Sequence, residues 1–180
     1  MVTNMAEKTG LVLVYTGNGK GKTTAALGLA LRASGYGAKI FMVQFRKSDS
    51  SYGEIQAISK YLPMFTVVQS QRSRITGRGG FEEEDMADAR NVFETGKAAL
   101  LSGEYSLVIF DEINFAVDYN LLALDEVVRM LKQRPSHTDV VLTGRNAPHE
   151  IVEMADLVSE VVEIKHHYKS GVMAQKGIEY

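Results

Sequence analysis

Residues 11–24 read Leu-Val-Leu-Val-Tyr-Thr-Gly-Asn-Gly-Lys-Gly-Lys-Thr-Thr. An apolar run passes into glycines and ends in Gly-Lys-Thr, the pattern of a phosphate-binding loop. Leu11 to Tyr15 supply the short buried strand, and Gly17, Gly19 and Gly21 let the backbone turn its N–H groups toward an anion. From Lys22 onward the residues turn helical. The phosphates of a nucleoside triphosphate would then meet a helix N-terminus, where free N–H groups and the helix dipole favour negative charge. Lys22 would reach the outer phosphates and the Thr23 hydroxyl would ligate Mg²⁺. The usual Gly-x-x-x-x-Gly-Lys-Thr spacing asks for glycine where this chain has Thr16. Either Thr16 opens a loop of normal size, or the cradle is tighter and holds the triphosphate in a shifted position.

A second chemical segment, Leu107-Val-Ile-Phe-Asp-Glu, is an apolar strand that delivers acids at its end. Asp111 and Glu112 are placed to hold Mg²⁺ directly or through water, since that ion takes oxygen ligands. Whether Glu112 is a base that orients water or a metal ligand stays open at this level. Gln44, Arg46 and Lys47 follow another apolar run, Thr143-Gly144-Arg145 a third, and Asn114 follows the acidic pair. Arg145 could contact phosphate or brace the metal; an arginine in a surface ion pair is the alternative.

Other groups have plainer readings. Glu82 to Asp85 suit the first turn of a helix. The adjacent His166 and His167 point in different directions on a regular backbone, which is no metal signature. Tyr52, Phe81, Phe115, Tyr119 and Tyr168 could line a large apolar pocket, or each could be an ordinary core or surface aromatic.

The elements that must position these groups alternate. Helix is expected from Lys22, over 52–61, over 82–102, from Leu124 to Lys132 and from Pro148 to Met154. Strands are expected at 38–45, 65–69, 106–112, 138–144 and from Leu157 to Ile164. Near-continuous apolar strands alternating with helices specify an α/β fold, a mostly parallel sheet sandwiched by helices. Right-handed crossovers bring the strand ends and their loops to one edge. Residues 70–81 are polar and irregular. Residues 1–10 read as a flexible N-terminal tail and 11–180 as a single domain.

The chain has 180 residues and a net charge of −2 at pH 7. That charge gives no general basic field for nucleic acid. It has no cysteine, which excludes disulfides, thiolate metal sites and cysteine nucleophiles, and agrees with a cytoplasmic location. Residues 1–10 lack the apolar run of a signal peptide, and no stretch has the length and apolarity of a membrane span.

Taken together, several segments resemble one family. They are Thr16 to Ala30, Val43-Gln-Phe, Phe110-Asp-Glu-Ile-Asn, Val141-Leu-Thr-Gly-Arg-Asn-Ala-Pro, Ala155-Asp-Leu-Val-Ser-Glu and Lys165 to Glu179. They resemble the ATP:corrinoid adenosyltransferases of the cobalamin pathway, from about Leu11 to Tyr180. The short loop and the closing Ala-Gln-Lys-Gly-Ile-Glu are marks of that family.

The resemblance implies a phosphate-loop NTPase architecture of the RecA-like kind, and a reaction in which a Co(I) corrinoid attacks the 5′-carbon of ATP and releases triphosphate. By the same resemblance Asn18, Gly19, Lys20, Gly21, Lys22 and Thr24 would cradle the phosphates, and Thr23 and Glu112 would serve Mg²⁺. Together with the residue readings above, the expected ATP site also takes in Gly17, Thr23 and Arg145, the metal site Asp111, and Lys22 and Glu112 are expected to carry catalysis. ATP and corrinoid are the partners, with a reductase or reduced flavodoxin as the electron source and a homodimer as the assembly. Many relatives carry Gly-Phe-Thr-Trp before the long middle helix, whereas this chain has no tryptophan and reads Arg74-Ile-Thr-Gly-Arg-Gly-Gly-Phe81. The aromatic role toward the corrinoid then passes to Phe81, with Arg78 beside it. The competing class is a phosphate-loop ATPase that hydrolyses ATP to drive a partner. A guanine-reading Asn-Lys-x-Asp segment is absent from the sequence.

Overall fold

The computed structural model describes residues 9–72 and 81–180. Its frame is a six-stranded sheet in the order β3-β2-β4-β5-β1-β6, and every neighbouring pair is parallel. The strands are β1 Val12–Thr16, β2 Ile40–Gln44, β3 Phe65–Gln69, β4 Leu107–Asp111, β5 Asp139–Thr143 and β6 Leu157–Glu160. The helices are α1 Lys22–Ser34, α2 Gly53–Tyr61, α3 Glu83–Leu101, α4 Ile113–Asp118, α5 Leu124–Gln133 and α6 His149–Met154. A 3₁₀ turn covers His167–Ser170.

The inner strands are apolar on both faces because both faces are covered. Alternate residues point opposite ways along a strand. Leu13, Ile40, Met42, Leu107, Ile109 and Val141 face α1 and α2, packing on Ala26, Ala30 and Ile58. Their neighbours Val14, Phe41, Val43, Val108, Phe110 and Leu142 face α3, α5 and α6, packing on Phe93, Met130 and Ile151. Each such side chain, fully buried, contributes about 1.5–3 kcal/mol. The long helix α3 comes close enough that Gly96 has no room for a side chain. A Cβ there would lie 2.6 Å from Phe110 Cε1 and 2.8 Å from Val43 Cγ2.

The acidic start of α3 is structural. Glu82 and Asp85 form a reciprocal capping box, and Arg72 Nε donates to Asp85 at 2.7 Å. Three expectations shift. The last strand stops at Glu160 instead of Ile164, because its partner β1 ends at Thr16 and offers nothing further to pair with after Val161 N–H bonds to Thr16 O. Helix α4 is absent from the sequence expectations: it starts one residue after the strand, and no glycine marks the turn. Gly10, assigned to the tail, is buried, donates to Ser136 O and accepts from Arg134. Residues 1–8 of the expected tail lie outside the described residues. The parallel sheet puts all strand ends on one edge, and the chemistry collects there.

Candidate active site

Thr16 remains in β1, with its carbonyl accepting from Val161 N–H and its hydroxyl accepting from Ala147 N–H. The phosphate loop is therefore the tight one, Gly17 to Gly21. Gly17 adopts φ 94° and Gly21 φ 121°, a region that side chains disfavour. The loop presses on the chain after β6: a Cβ on Gly17 would meet Val161 O at 2.5 Å, and Gly19 N–H donates to Val161 O at 2.7 Å. The Gly19 amide is thus committed to protein in this arrangement.

Lys22 opens α1 and is buried, its ammonium donating to Gly17 O at 2.8 Å and Gly19 O at 2.9 Å. Burial lowers its pKa, with Arg145 adding to the effect and Glu112 and Asp111 opposing it. The first helical bond runs from Ala25 N–H to Gly21 O. The N–H groups of Lys22, Thr23 and Thr24 have no acceptor within the helix, as at any helix start, and no side chain caps this one.

Asp111, at the end of β4, is the hub. It is wholly buried. Oδ1 accepts from the Thr23 hydroxyl at 2.8 Å and the Thr143 hydroxyl at 2.7 Å. Oδ2 accepts from Gln44 at 3.1 Å and from the Lys47 ammonium at 2.9 Å. Gln69 donates in turn to Gln44 at 3.0 Å, so the ends of β3, β2, β4 and β5 are tied to the start of α1.

Glu112 makes the turn into α4 with φ 66°, a left-handed conformation that costs a non-glycine residue about 1 kcal/mol or more. Its N–H donates to the Thr143 hydroxyl at 2.9 Å, the same hydroxyl that donates to Asp111. Burial raises the Glu112 pKa, helped by the Asp111 charge and opposed by Lys22, Lys47 and Arg46.

Lys22, Thr23, Lys47 and Glu112 border a cavity of about 1020 Å³, with Asp111 buried behind them. Phe115 and Tyr119 give it an aromatic part. Phe115 and Tyr119 stack with centroids 4.2 Å apart, and the Arg46 guanidinium lies 3.8 Å over Phe115. Phe81 stands edge-on behind both, 6.0 and 5.7 Å away, and borders a smaller cleft instead. Arg78 lies outside the described residues. Arg145 reaches the large cavity from the loop after β5, as do Asn18 and Lys20 from the phosphate loop. Tyr168 lines it too, whereas Tyr52 packs near Tyr180.

The rim is completed by the C-terminal segment. Glu179 lies 3.3 Å from His167 and 3.8 Å from Lys20, and His166 accepts from Tyr168 N–H. Glu163 pairs with Lys169.

A sequence model of the ATP:corrinoid adenosyltransferase BtuR/CobO/CobP family matches residues 8–180. The chain belongs to this family. It is 39% identical to the corrinoid adenosyltransferase of Escherichia coli (strain K12) over 99% of this chain and 90% of that one. It is 38% identical to corrinoid adenosyltransferase CobA of Salmonella typhimurium (strain LT2), with the same coverage. Against the corrinoid adenosyltransferase of Sinorhizobium sp the figure is 39%, covering 100% of this chain and 84% of that one. A crystal structure of the RadB recombinase superposes with a TM-score of 0.53 at 16% identity, over 89% of this chain and 78% of that one. That likeness is one of fold and confirms the RecA-like phosphate-loop architecture.

In the adenosyltransferase, sequence reasoning placed the loop, the acidic pair and Arg145 on one edge, and the structure brings them around one cavity. It missed the Lys47 contact with Asp111, the commitment of Gly19 to Val161, and the role of Thr143 in joining both acids. The polar residues after β2 and β5 were the available signal for the first and last of these. No signal foretold the second.

Proposed function

We propose that this chain transfers the 5′-deoxyadenosyl group of ATP to the Co(I) centre of a reduced corrinoid and releases inorganic triphosphate. The observation that carries the reading is one cavity lined both by the phosphate loop and by the stacked Phe115 and Tyr119 rings. Its volume is at the upper end for a small-molecule pocket, which suits a nucleotide together with part of a second, larger substrate. In the transfer, the cobalt electron pair forms a bond to the 5′-carbon. The bond from that carbon to oxygen breaks, and its electrons leave with the triphosphate. No proton moves at the reacting carbon, so the step calls for no general base.

The chain's contribution is positioning and charge. Lys22 would leave Gly17 O and Gly19 O for the phosphates, and the N–H groups at the start of α1 would face them, with Asn18, Lys20, Gly21, Thr24 and Arg145 around them. Arg145 has no hydrogen bond or ion pair to a described residue and is exposed to the cavity. The tight loop supports a shifted triphosphate whose 5′-carbon is presented outward.

Thr23, Asp111 and Glu112 offer hard oxygen donors of the kind Mg²⁺ takes, and the Lys47 ammonium between two of them supports a cation at that position. Bound with the triphosphate, Mg²⁺ supplies charge neutralisation on the leaving group. Among the described residues no three His, Asp or Glu side chains gather into a metal cage of their own, which suits a metal shared with phosphate. Phe115 and Tyr119 would face the corrinoid, with Phe81 bracing them from behind. A homodimer, an electron supply from a reductase or reduced flavodoxin, and a cytoplasmic setting belong to the same reading. No helix among the described residues is long and apolar enough to cross a membrane.

The test is to incubate the protein with ATP, Mg²⁺ and chemically reduced corrinoid. Intact triphosphate and a light-sensitive adenosylated corrinoid are expected, formed only with Co(I). Release of orthophosphate without corrinoid, and no alkylated cobalt, would instead identify an ATPase.

A further inference from the structure

Lys47 holds a position that the reaction above leaves unexplained. Its ammonium lies 2.9 Å from Asp111 Oδ2 and 3.2 Å from Thr23 Oγ1. These are two of the oxygens assigned above to the metal. Asp111 is wholly buried, so a charge there without a counter-charge would be costly. Thr23 donates its hydroxyl proton to Asp111 and so turns its lone pairs to Lys47, as it would to any cation. Lys47 follows β2 in a segment that is neither helix nor strand, its side chain is 21% exposed, and it borders the large cavity. It therefore has both a tight grip on the site and a route out of it.

We infer that Lys47 is the resident cation of the metal position: it neutralises Asp111 while no nucleotide is bound, and a divalent metal enters only together with a triphosphate, as the replacement for Lys47. The inference rests on the assignment of Thr23 and Asp111 to the metal. A bare divalent ion approaching Asp111 and Thr23 meets an ammonium already on the same oxygens, with Lys22, Arg46 and Arg145 nearby. Of the two acids at the end of β4, Glu112 is the one left to compensate. A triphosphate brings several negative charges of its own. These attract the metal, and they give the displaced ammonium a new partner within the same cavity. The ordering of ligands is thus built into one side chain: nucleotide and metal come together, and the empty protein does not scavenge metal.

The experiment uses Mn²⁺ as the probe, read by electron paramagnetic resonance, with wild type, Lys47→Met and Lys47→Arg. Without nucleotide, Lys47→Met should bind Mn²⁺ at least tenfold more tightly than wild type, and Lys47→Arg should behave as wild type. Mn²⁺ should also raise the melting temperature of Lys47→Met alone, since a ligand of the folded state stabilises it. With the β,γ-imido analogue of ATP, all three should form a protein–metal–nucleotide complex. Circular dichroism checks the fold, and Lys47→Gln replaces Lys47→Met should the latter fail to fold. Equal Mn²⁺ affinity of the nucleotide-free wild type and Lys47→Met overturns the inference while leaving the metal assignment standing. Failure of the wild type to form the ternary complex overturns both.

Discussion

The Gly19 amide donates to the Val161 carbonyl at 2.7 Å, and this bond fastens the phosphate loop to the edge of the sheet. The loop has no slack there. Gly17→Ala would place a Cβ 2.5 Å from Val161 O and 2.8 Å from Glu160 Cγ, on a residue whose φ is 94°. We expect a loss of about 1–3 kcal/mol, divided between stability and ATP affinity. Calorimetric titration with ATP and a denaturant curve on the same variant measure the two parts. Unchanged ATP binding at unchanged stability would contradict the contact.

Lys22→Ala removes the ammonium that stands across the loop. Because Lys22 makes its bonds to loop carbonyls and not to the core, the sheet should survive. Loss of one positioned electrostatic donor costs on the order of 3 kcal/mol in such sites, roughly a hundredfold in rate. Single-turnover formation of the alkylated corrinoid gives the rate, and far-ultraviolet circular dichroism the fold. A folded variant turning over at the parent rate would remove Lys22 from the reaction.

Glu112→Gln separates two roles. A metal ligand weakened in this way should shift the Mg²⁺ dependence to higher concentration, with partial recovery of rate at high Mg²⁺. A residue that orients water should show no recovery. The parent rate at ordinary Mg²⁺ excludes both.

Phe115→Ala should raise the KM for corrinoid well above any change in the KM for ATP, because Phe115 borders the large cavity and carries the Arg46 guanidinium on its face. Phe81→Ala should have the same sign and a smaller size, since Phe81 acts through Phe115 and Tyr119. Equal effects on both substrates from either variant would reduce these rings to core packing.

Gly96→Ala tests the fold away from the site. The added methyl would overlap Phe110 and Val43, and overpacking of this kind costs about 1–3 kcal/mol. Urea denaturation should show a lower midpoint, with ATP affinity retained in the folded fraction.

Most of the frame was legible because periodicity carries it. Leu107 to Phe110 of β4 are apolar at every position, as a doubly covered strand is, and α1 and α3 are long enough for an apolar face to show. Helix α4 was hidden because Glu112, not a glycine, takes the left-handed turn that starts it. The loop size was undecided in the sequence and was settled by Thr16, whose backbone bond to Val161 keeps it in β1. The Lys47–Asp111 pair was out of reach for a different reason. Its members are 64 residues apart and meet only because β2 and β4 are neighbours, an adjacency that no local pattern records.

The C-terminal segment has a practical corollary. Ile178, Glu179 and Tyr180 line the large cavity, with Glu179 beside Lys20 of the phosphate loop. A bulky group attached within this segment would crowd the space proposed for both substrates. Fluorescent labels and surface attachment points placed there should throttle turnover, and the same labels on the face of α3 or α5 should not.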